Sequence, residues 1–231
     1  MVNINTVYQT VLALANKEQR GYITPQEFNL FANQAQMSIF EQYFYDLNQF
    51  LRVPGNNTAY ADMVDLLEEK ISNFEQTNTA VGSGTVLPSN LYKLQQVQWA
   101  NAGKIYTAEY VDRKTFLQMR GVALVKPTDT KLIYIRNKYG IAVIGDDQKT
   151  VGVTCNYISK PSIPSWTYVV VNKKALYNAN AADHEHFDLH ESEQTELVTR
   201  ILALAGITLK DNSLFQIASS QTNSQIQQQK Q

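Results

Sequence analysis

Apolar residues recur every three or four positions near the start of the chain, which is the spacing of amphipathic helices. Val7, Val11 and Leu14 predict a short first helix. Another run at helical spacing, from Thr58 to Phe74, predicts a further helix after the helix-breaking sequence Pro54-Gly55-Asn56.

A longer helix between these two has a well-marked start. Thr24 stands three residues before Glu27, which is the spacing of a capping box, and Pro25 suits the first helical position. The helical period then continues to Phe50 through a row of apolar residues: Phe28, Phe31, Ala35, Ile39, Tyr43 and Leu47. We therefore expect an N-terminal helical bundle over residues 1–76.

The apolar period changes from helical to alternating after a polar stretch at residues 77–85, which reads as a linker. Asp112–Arg120 is predicted to be a helix inserted between strands, and the connections look too short for crossovers. We therefore expect a small antiparallel sheet or sandwich over residues 86–190. Its strands are predicted at Leu91–Trp99, Lys104–Val111, Leu132–Asn137, Ile141–Gly145 and Val151–Ile158.

The chain returns to helical spacing near its end. A helix is predicted from Glu191 to Ala205, ended by Gly206, with a further short helical segment after Asp211. We expect these C-terminal helices, residues 191–218, to pack back on the bundle. The Gln-rich residues 219–231 lack the apolar area needed to order them and are predicted to be a flexible tail. The fold class predicted for the whole chain is α+β.

Composition narrows the class of protein. With 44% hydrophobic and 18% charged residues, the 231-residue chain is not expected to be wholly disordered. Its 20 basic and 21 acidic residues give a formal charge of -1, so strong non-specific attraction to nucleic acid or anionic lipid is not expected. No signal peptide or membrane-spanning stretch is visible, which predicts a soluble protein that starts in a cytoplasm. The single Cys155 agrees with a reducing compartment.

A segment near the start imitates a calcium-binding EF-hand loop. Arg20, however, stands where that loop needs an oxygen ligand, and a cation there repels the metal. A turn leading into a capped helix explains the same residues, so no calcium site is predicted. The residues that fit the loop pattern are Asn16, Glu18, Gly21, Ile23, Thr24 and Glu27.

All three histidines lie within Asp183–His190. If this segment is extended, one face carries Phe187 and Leu189, and the other carries His184, His186, Asp188 and His190. Imidazoles two residues apart on a strand can bind zinc, which leaves a small metallohydrolase as an alternative. An edge strand with a buried apolar side explains the same pattern, and no metal or other cofactor is predicted.

Other signatures of enzymes are missing from the sequence. Gly82-Ser83-Gly84 lacks the Lys and the helix of a phosphate-binding loop, and Cys155 falls in the middle of a predicted strand. Two pairs of acidic residues, Glu68 with Glu69 and Glu191 with Glu193, read as solvated helix faces or first-turn acids. The chain is therefore expected not to be an enzyme.

Aromatic residues cluster on the long second helix. Phe40, Tyr43, Phe44 and Tyr45 cover more than one helical face, so a single core stripe cannot bury all four rings. Phe40 and Tyr43 lie nearer the stripe set by neighbouring apolar residues. We expect Phe44 or Tyr45 to be the surplus ring and the four residues to belong to a protein interface.

Two parts of the sequence resemble structural proteins of tailed phages, of the crAss-like and marine podophage types. The first is Val11–Asn29 with its continuation to Phe50. The second comprises Tyr157-Ile158-Ser159-Lys160-Pro161, Trp166, Phe187–His190 and the helix Glu193–Gly206. Together they cover both ends of the chain. The family often has Pro after the His of the last strand, where this chain has Glu191, and the motifs carry no catalytic residues.

The resemblance implies a virion structural protein, a connector or adaptor ring between the portal and the tail that lines the DNA channel. It implies a homo-oligomer, usually a dodecameric ring, that contacts the portal, neighbouring rings and tail proteins while double-stranded DNA passes through the lumen. The implied location is the virion neck, after assembly in the cytoplasm of a bacterial host. A tail tube or minor capsid component is the alternative within the virion.

Overall fold

The computed structural model describes residues 1–17, 23–52, 62–82, 86–138, 140–172 and 174–208. Its elements form two compact units, one of Met1–Asn73 with Pro161–Gln231 and one of Phe74–Lys160. The first unit is mainly helical and the second contains a seven-stranded sheet. The predicted α+β class is confirmed. No helix in the described ranges is long and apolar enough to cross a membrane.

The helical unit contains α1 (Ile4–Lys17), α2 (Pro25–Arg52), α3 (Asp62–Ser72) and α5 (Gln194–Thr208). Helix α2 contacts both α3 and α5, and α1 contacts α5, so α5 packs against helices from the start of the chain. The largest fully buried side chains of this unit include Trp166, Phe28, Phe40, Phe187, Leu197 and Ile201.

The second unit contains β1 (Glu75–Ala80), β2 (Leu91–Asn101), β3 (Lys104–Tyr110), α4 (Arg113–Arg120), β4 (Leu132–Asn137), β5 (Gly140–Ile144), β6 (Gln148–Lys149) and β7 (Val153–Ser159). The strand order is β1-β7-β2-β3-β4-β5-β6. Its core forms around Val97, Ile141, Val143 and Cys155, none of which has measurable exposure. The five predicted strands and the inserted helix are present within one or two residues of their expected bounds.

The expectation of a wholly antiparallel sheet is wrong at one position. Strand β3 pairs with β4 in parallel, while the other pairs in the sheet are antiparallel. A parallel pair needs a crossover of about a dozen residues or more. The segment from Val111 to Lys131, which contains α4, is long enough to supply it. The helix interpreted as a simple insertion is therefore the crossover of a mixed sheet.

The expected linker at residues 77–85 is also different in the structure. Residues 77–80 belong to β1, which pairs with β7 at one edge of the sheet formed by the described residues. Five of its six residues are exposed, so it has no alternation of apolar and polar residues for the sequence to reveal. A register shift between Gln76 and Thr79 contains Asn78, which has a φ of 52°. Such irregularities discourage edge-to-edge pairing with other chains.

The predicted β region also ends earlier than residue 190. Residues from Pro161 onward belong to the helical unit, where β8 (Tyr168–Val171) and β9 (Lys174–Tyr177) form a separate two-stranded sheet. The C-terminal helix differs slightly as well, because Glu191–Glu193 is a 3-10 turn and α5 continues through Gly206 to Thr208. The predicted segment after Asp211 and the tail at 219–231 lie outside the described residues.

Candidate assembly interface

The aromatic residues predicted as an interface lie on α2 at different depths. Phe40 and Tyr43 are buried, Phe44 is half-buried, and Tyr45 is 64% exposed. The rings of Phe40 and Phe44 meet edge to face with centroids 5.1 Å apart. Successive helical residues point about 100° apart, so Tyr45 turns away from the buried stripe. Of the two rings expected to be surplus, Tyr45 is exposed and Phe44 is only half-buried, and the role of the four residues at an interface stays a prediction.

A buried polar cluster lies where α2, α3 and α5 meet. The Nζ atom of Lys70 lies 2.6 Å from Oε1 of Glu193 and 5.6 Å from the centroid of the Tyr43 ring. Arg200 pairs with Glu196 one turn earlier on α5 and donates to Ser38 on α2. Each of these two carboxylates therefore has a cation beside it, and the cluster ties the three helices together.

The electrostatics of this cluster follow from burial. Removal from water raises the pKa of Tyr43 far above its ordinary value, and the nearby carboxylates of Glu193 and Glu196 raise it further. Burial likewise raises the pKa of Glu196, although Arg200 opposes the shift. Glu193, interpreted from the sequence as a solvated first-turn acid, is only 3% exposed. The interpretation is wrong because Glu193 is buried in an ion pair with Lys70 of α3. The sequence around Glu193 does not reveal a partner so far away in the chain.

The three histidines are engaged by the protein itself. Nδ1 of His184 donates to the carbonyl of Ser165 at 3.2 Å, so Nε2 accepts from the Tyr177 hydroxyl at 3.0 Å. Nδ1 of His186 accepts from the amide of Ile4 at 3.3 Å. Nδ1 of His190 accepts from the amide of Ser192 and caps the 3-10 turn.

The environment of the histidine segment favours the structural interpretation. Phe187 and Leu189 are fully buried, as the alternating pattern predicted. Burial and the neighbouring His184 lower the pKa of His186, whose ring lies edge to face with that of His184 at 4.6 Å. Asp188, on the predicted polar face, accepts from the amide and the hydroxyl of Ser162, each at 2.6 Å.

The alternative function of a small metallohydrolase depends on a metal site. Within the described residues, no group of three or more His, Cys, Asp or Glu side chains is placed to hold a metal ion. Residues 18–22 of the EF-hand-like segment lie outside the described part. Thr24 and Glu27 bond to each other in the predicted capping box, with the Thr24 amide donating to the Glu27 carboxylate at 2.9 Å.

Helix α4, the crossover helix of the sheet unit, is exposed over most of its length. None of its eight residues, all of them described, is buried. Leu117 on the helix is 60% exposed, and Leu124 in the turn that follows is 94% exposed. A crossover helix normally buries one face against its sheet. These apolar side chains therefore form a surface that the described chain leaves to solvent.

The β8–β9 hairpin exposes a second apolar surface. Val169, Val170, Val171 and Leu176 are between 45% and 63% exposed. The base of the hairpin is held by Trp166, whose ring stacks with those of Tyr168 and Tyr177 at centroid distances of 5.7 and 5.8 Å. This hairpin was not predicted, although the β-branched run at Tyr168–Val171 is a sequence signal of a strand.

The chain matches no protein-family model and no curated protein sequence. The class of the protein is instead defined by its fold and its exposed surfaces. It is an α+β protein with apolar side chains exposed on α2, on α4 and on the β8–β9 hairpin. Exposed aromatic and aliphatic groups of this kind are typical of protein–protein interfaces.

Proposed function

We propose that the protein is a structural component of a tailed-phage virion, a connector ring between portal and tail. The observation that carries the proposal is the set of apolar surfaces on α2, α4 and the β8–β9 hairpin. Each is presented by an ordered element, and each would be covered in an assembly of many copies. The resemblance of both chain ends to phage structural proteins supplies the kind of assembly.

The requirements of a ring agree with these surfaces. Every subunit of a closed ring meets two neighbours through two different patches, and further contacts join it to the portal and to the next ring or tail protein. Several separate surfaces are therefore needed on one small chain. A formal charge of -1 also suits a channel from which DNA must leave, because a strongly basic lumen would retain the phosphates.

Native mass spectrometry and electron microscopy test the proposal. The chain is measured alone and after mixing with the portal protein of the same phage. We expect a defined high-order oligomer, a dodecamer for a twelve-fold portal, that binds one end of the portal. A chain that stays monomeric and leaves the portal unbound contradicts the proposal. Filaments without portal binding point to a tail tube instead.

A further inference from the structure

The outer face of α4 is basic as well as apolar. Arg113, Lys114 and Arg120 are exposed, and the helix contains no acidic residue. Arg113, Leu117 and Arg120 are spaced four and three residues apart, so they lie along one stripe of the helix. Asp112, just before the helix, caps it by accepting from the amide of Thr115 at 3.0 Å. The stripe is thus a leucine between two arginines.

The outer face of α3 has the opposite charge. Val64, Leu67 and Ile71 are buried and fix which face of α3 points into the helical unit. Asp65, Glu68 and Glu69 are exposed on the other side. Leu66, beside them, is 50% exposed.

The one basic residue of α3 does not neutralise this outer face. Lys70 turns inward to its ion pair with Glu193, where its side chain is only 21% exposed. The outer face of α3 therefore combines three carboxylates with an exposed leucine. Its charge is opposite to that of the α4 stripe, which also contains an exposed leucine.

We propose that α4 of one copy docks on the outer face of α3 of the next copy, with Leu117 against Leu66 and the arginines and lysine against the carboxylates. The proposal rests on the proposed function, since it assigns the contact between neighbouring subunits of the ring. Pairing of α4 with α4, or of α3 with α3, would bring like charges together and is disfavoured. The two patches thus favour the head-to-tail contacts that generate rings over the self-complementary contacts of a two-fold dimer.

The dimensions of the two helices are compatible. Eight residues of α4 and eleven of α3 correspond to lengths of about 12 and 16 Å. A pair of such helices covers less area than a complete stable interface, which buries about 1,600 Å². The contact therefore selects the neighbour and its orientation, and the other exposed surfaces contribute the remaining area.

A charge swap tests the contact. One variant reverses α4 (Arg113→Glu, Lys114→Glu, Arg120→Glu), a second reverses α3 (Asp65→Lys, Glu68→Lys, Glu69→Lys), and a third carries both sets. Self-association is measured by sedimentation and mass photometry, alone and on the portal. We expect each single reversal to weaken association about tenfold or more, and the combined variant to recover most of the loss. Added salt should weaken the wild-type association.

A control variant separates this contact from a general effect of charge. Lys93→Glu, Lys104→Glu and Lys160→Glu together change the net charge as much as the α4 reversal, at exposed positions outside α4. We expect this control to associate like the wild type. Circular dichroism on every variant checks that the fold is retained, which the exposure of all the substituted side chains favours.

Cross-linking gives an independent readout. The native Cys155 is fully buried, so introduced surface cysteines supply the reactive thiols. A short bis-maleimide should link Leu66→Cys and Leu117→Cys variants into dimers only when the two are mixed. The double variant should give a ladder of higher species, because each copy then carries both halves of the contact.

The outcomes separate the contact from the proposed function. A wild type that assembles while both reversals assemble equally well, or a combined variant that recovers nothing, overturns the contact alone. A wild type that never associates and never binds the portal overturns the function and the contact together. Binding of double-stranded DNA that the α4 reversal abolishes and the α3 reversal leaves intact would assign the basic helix to DNA and also overturn the contact.

Discussion

At the scale of single residues, the aromatic side chains of α2 separate into core and surface. Phe40 is completely buried and Tyr43 is 5% exposed, whereas Tyr45 presents most of its ring to solvent. Phe44 lies between these cases because its ring contacts that of Phe40. An exposed tyrosine combines a large apolar area with a hydroxyl, and interfaces are enriched in this residue. Burial therefore distinguishes the side chain available to a partner from those that hold the fold.

Replacing Tyr45 by Ser should leave the monomer folded and reduce assembly. Substitutions of exposed side chains usually change stability by less than about 0.5 kcal/mol, whereas truncation of an aromatic at the centre of an interface costs about 2 kcal/mol or more of binding. Thermal melting of the monomer and co-assembly with the portal measure the two effects.

The matched control for this prediction is Phe40→Ser on the same helix. It removes a buried ring and should destabilise the fold by about 3 kcal/mol or more. If Tyr45→Ser unfolds the monomer as well, its ring belongs to the core. If it assembles normally, the α2 surface is not part of the interface.

At the scale of elements, the start of α2 is fixed by residues that are close together in the sequence. Helix α2 begins at Pro25 after a capping box in which the Glu27 amide donates to the Thr24 hydroxyl at 3.3 Å. The amide and hydroxyl of Thr24 in turn donate to the Glu27 carboxylate and lower its pKa. The β8–β9 hairpin, by contrast, is held at its base by distant residues: its two tyrosines stack on Trp166, and the Tyr177 hydroxyl bonds to Nε2 of His184.

Thr24→Ala should lower the free energy of unfolding by about 1 kcal/mol at neutral pH. The pKa of the Glu27 carboxyl group is lower in the folded protein than its ordinary value of 4.5. Its contribution to stability is therefore complete when the pH is above 4.5, and it is lost as the pH falls through the lower pKa of the folded state. The difference between wild type and variant should therefore shrink in acid. Urea unfolding at pH 7 and pH 3 measures it.

The control for the cap is Thr10→Ala on α1. Its hydroxyl donates to the carbonyl of Thr6 within the helix and caps no helix end. We expect it to change stability by less than about 0.5 kcal/mol at either pH. A Thr24→Ala variant as stable as this control would show that the capping box contributes little.

At the scale of the whole molecule, the sheet unit is a continuous piece of chain inserted into the helical unit. The helical unit is formed by two separate segments, whereas the sheet unit runs from Phe74 to Lys160 without interruption. Its two ends are adjacent, since the amide of Ser159 donates to the carbonyl of Phe74 at 2.8 Å. Adjacent ends and a separate core are typical of a unit that can fold alone.

A fragment of residues 74–160 should therefore fold by itself. We expect a β-type circular dichroism spectrum and cooperative melting. The thiol of Cys155 should react with a thiol reagent only after unfolding, because it is buried in β7 and its pKa is raised by that burial.

A shorter fragment of residues 74–152 is the control for independent folding. It lacks β7, the strand that pairs with both β1 and β2, and should not fold. A disordered 74–160 fragment with a reactive thiol would mean that the sheet depends on the helical unit.

The sequence by itself determined the features that depend on neighbouring residues. The capping box before α2, the apolar period of the helices and the alternation in β2, β3, β4, β5 and β7 are local patterns, and the structure agrees with them closely. The burial of Phe187 and Leu189 and the order of burial among the α2 aromatics follow from the same periodicity. In each case the geometry of one element decides which side chain points inward.

Only the tertiary structure decided the features that join distant parts of the chain. The parallel pairing of β3 with β4 depends on where the crossover returns, and β1 is held in the sheet by β7 rather than by any apolar pattern of its own. The carboxylate of Glu193 can be buried because the fold brings the ammonium group of Lys70 next to it. The exposure of α4 has the same origin, since an apolar helix side chain is buried only where the fold brings another surface against it.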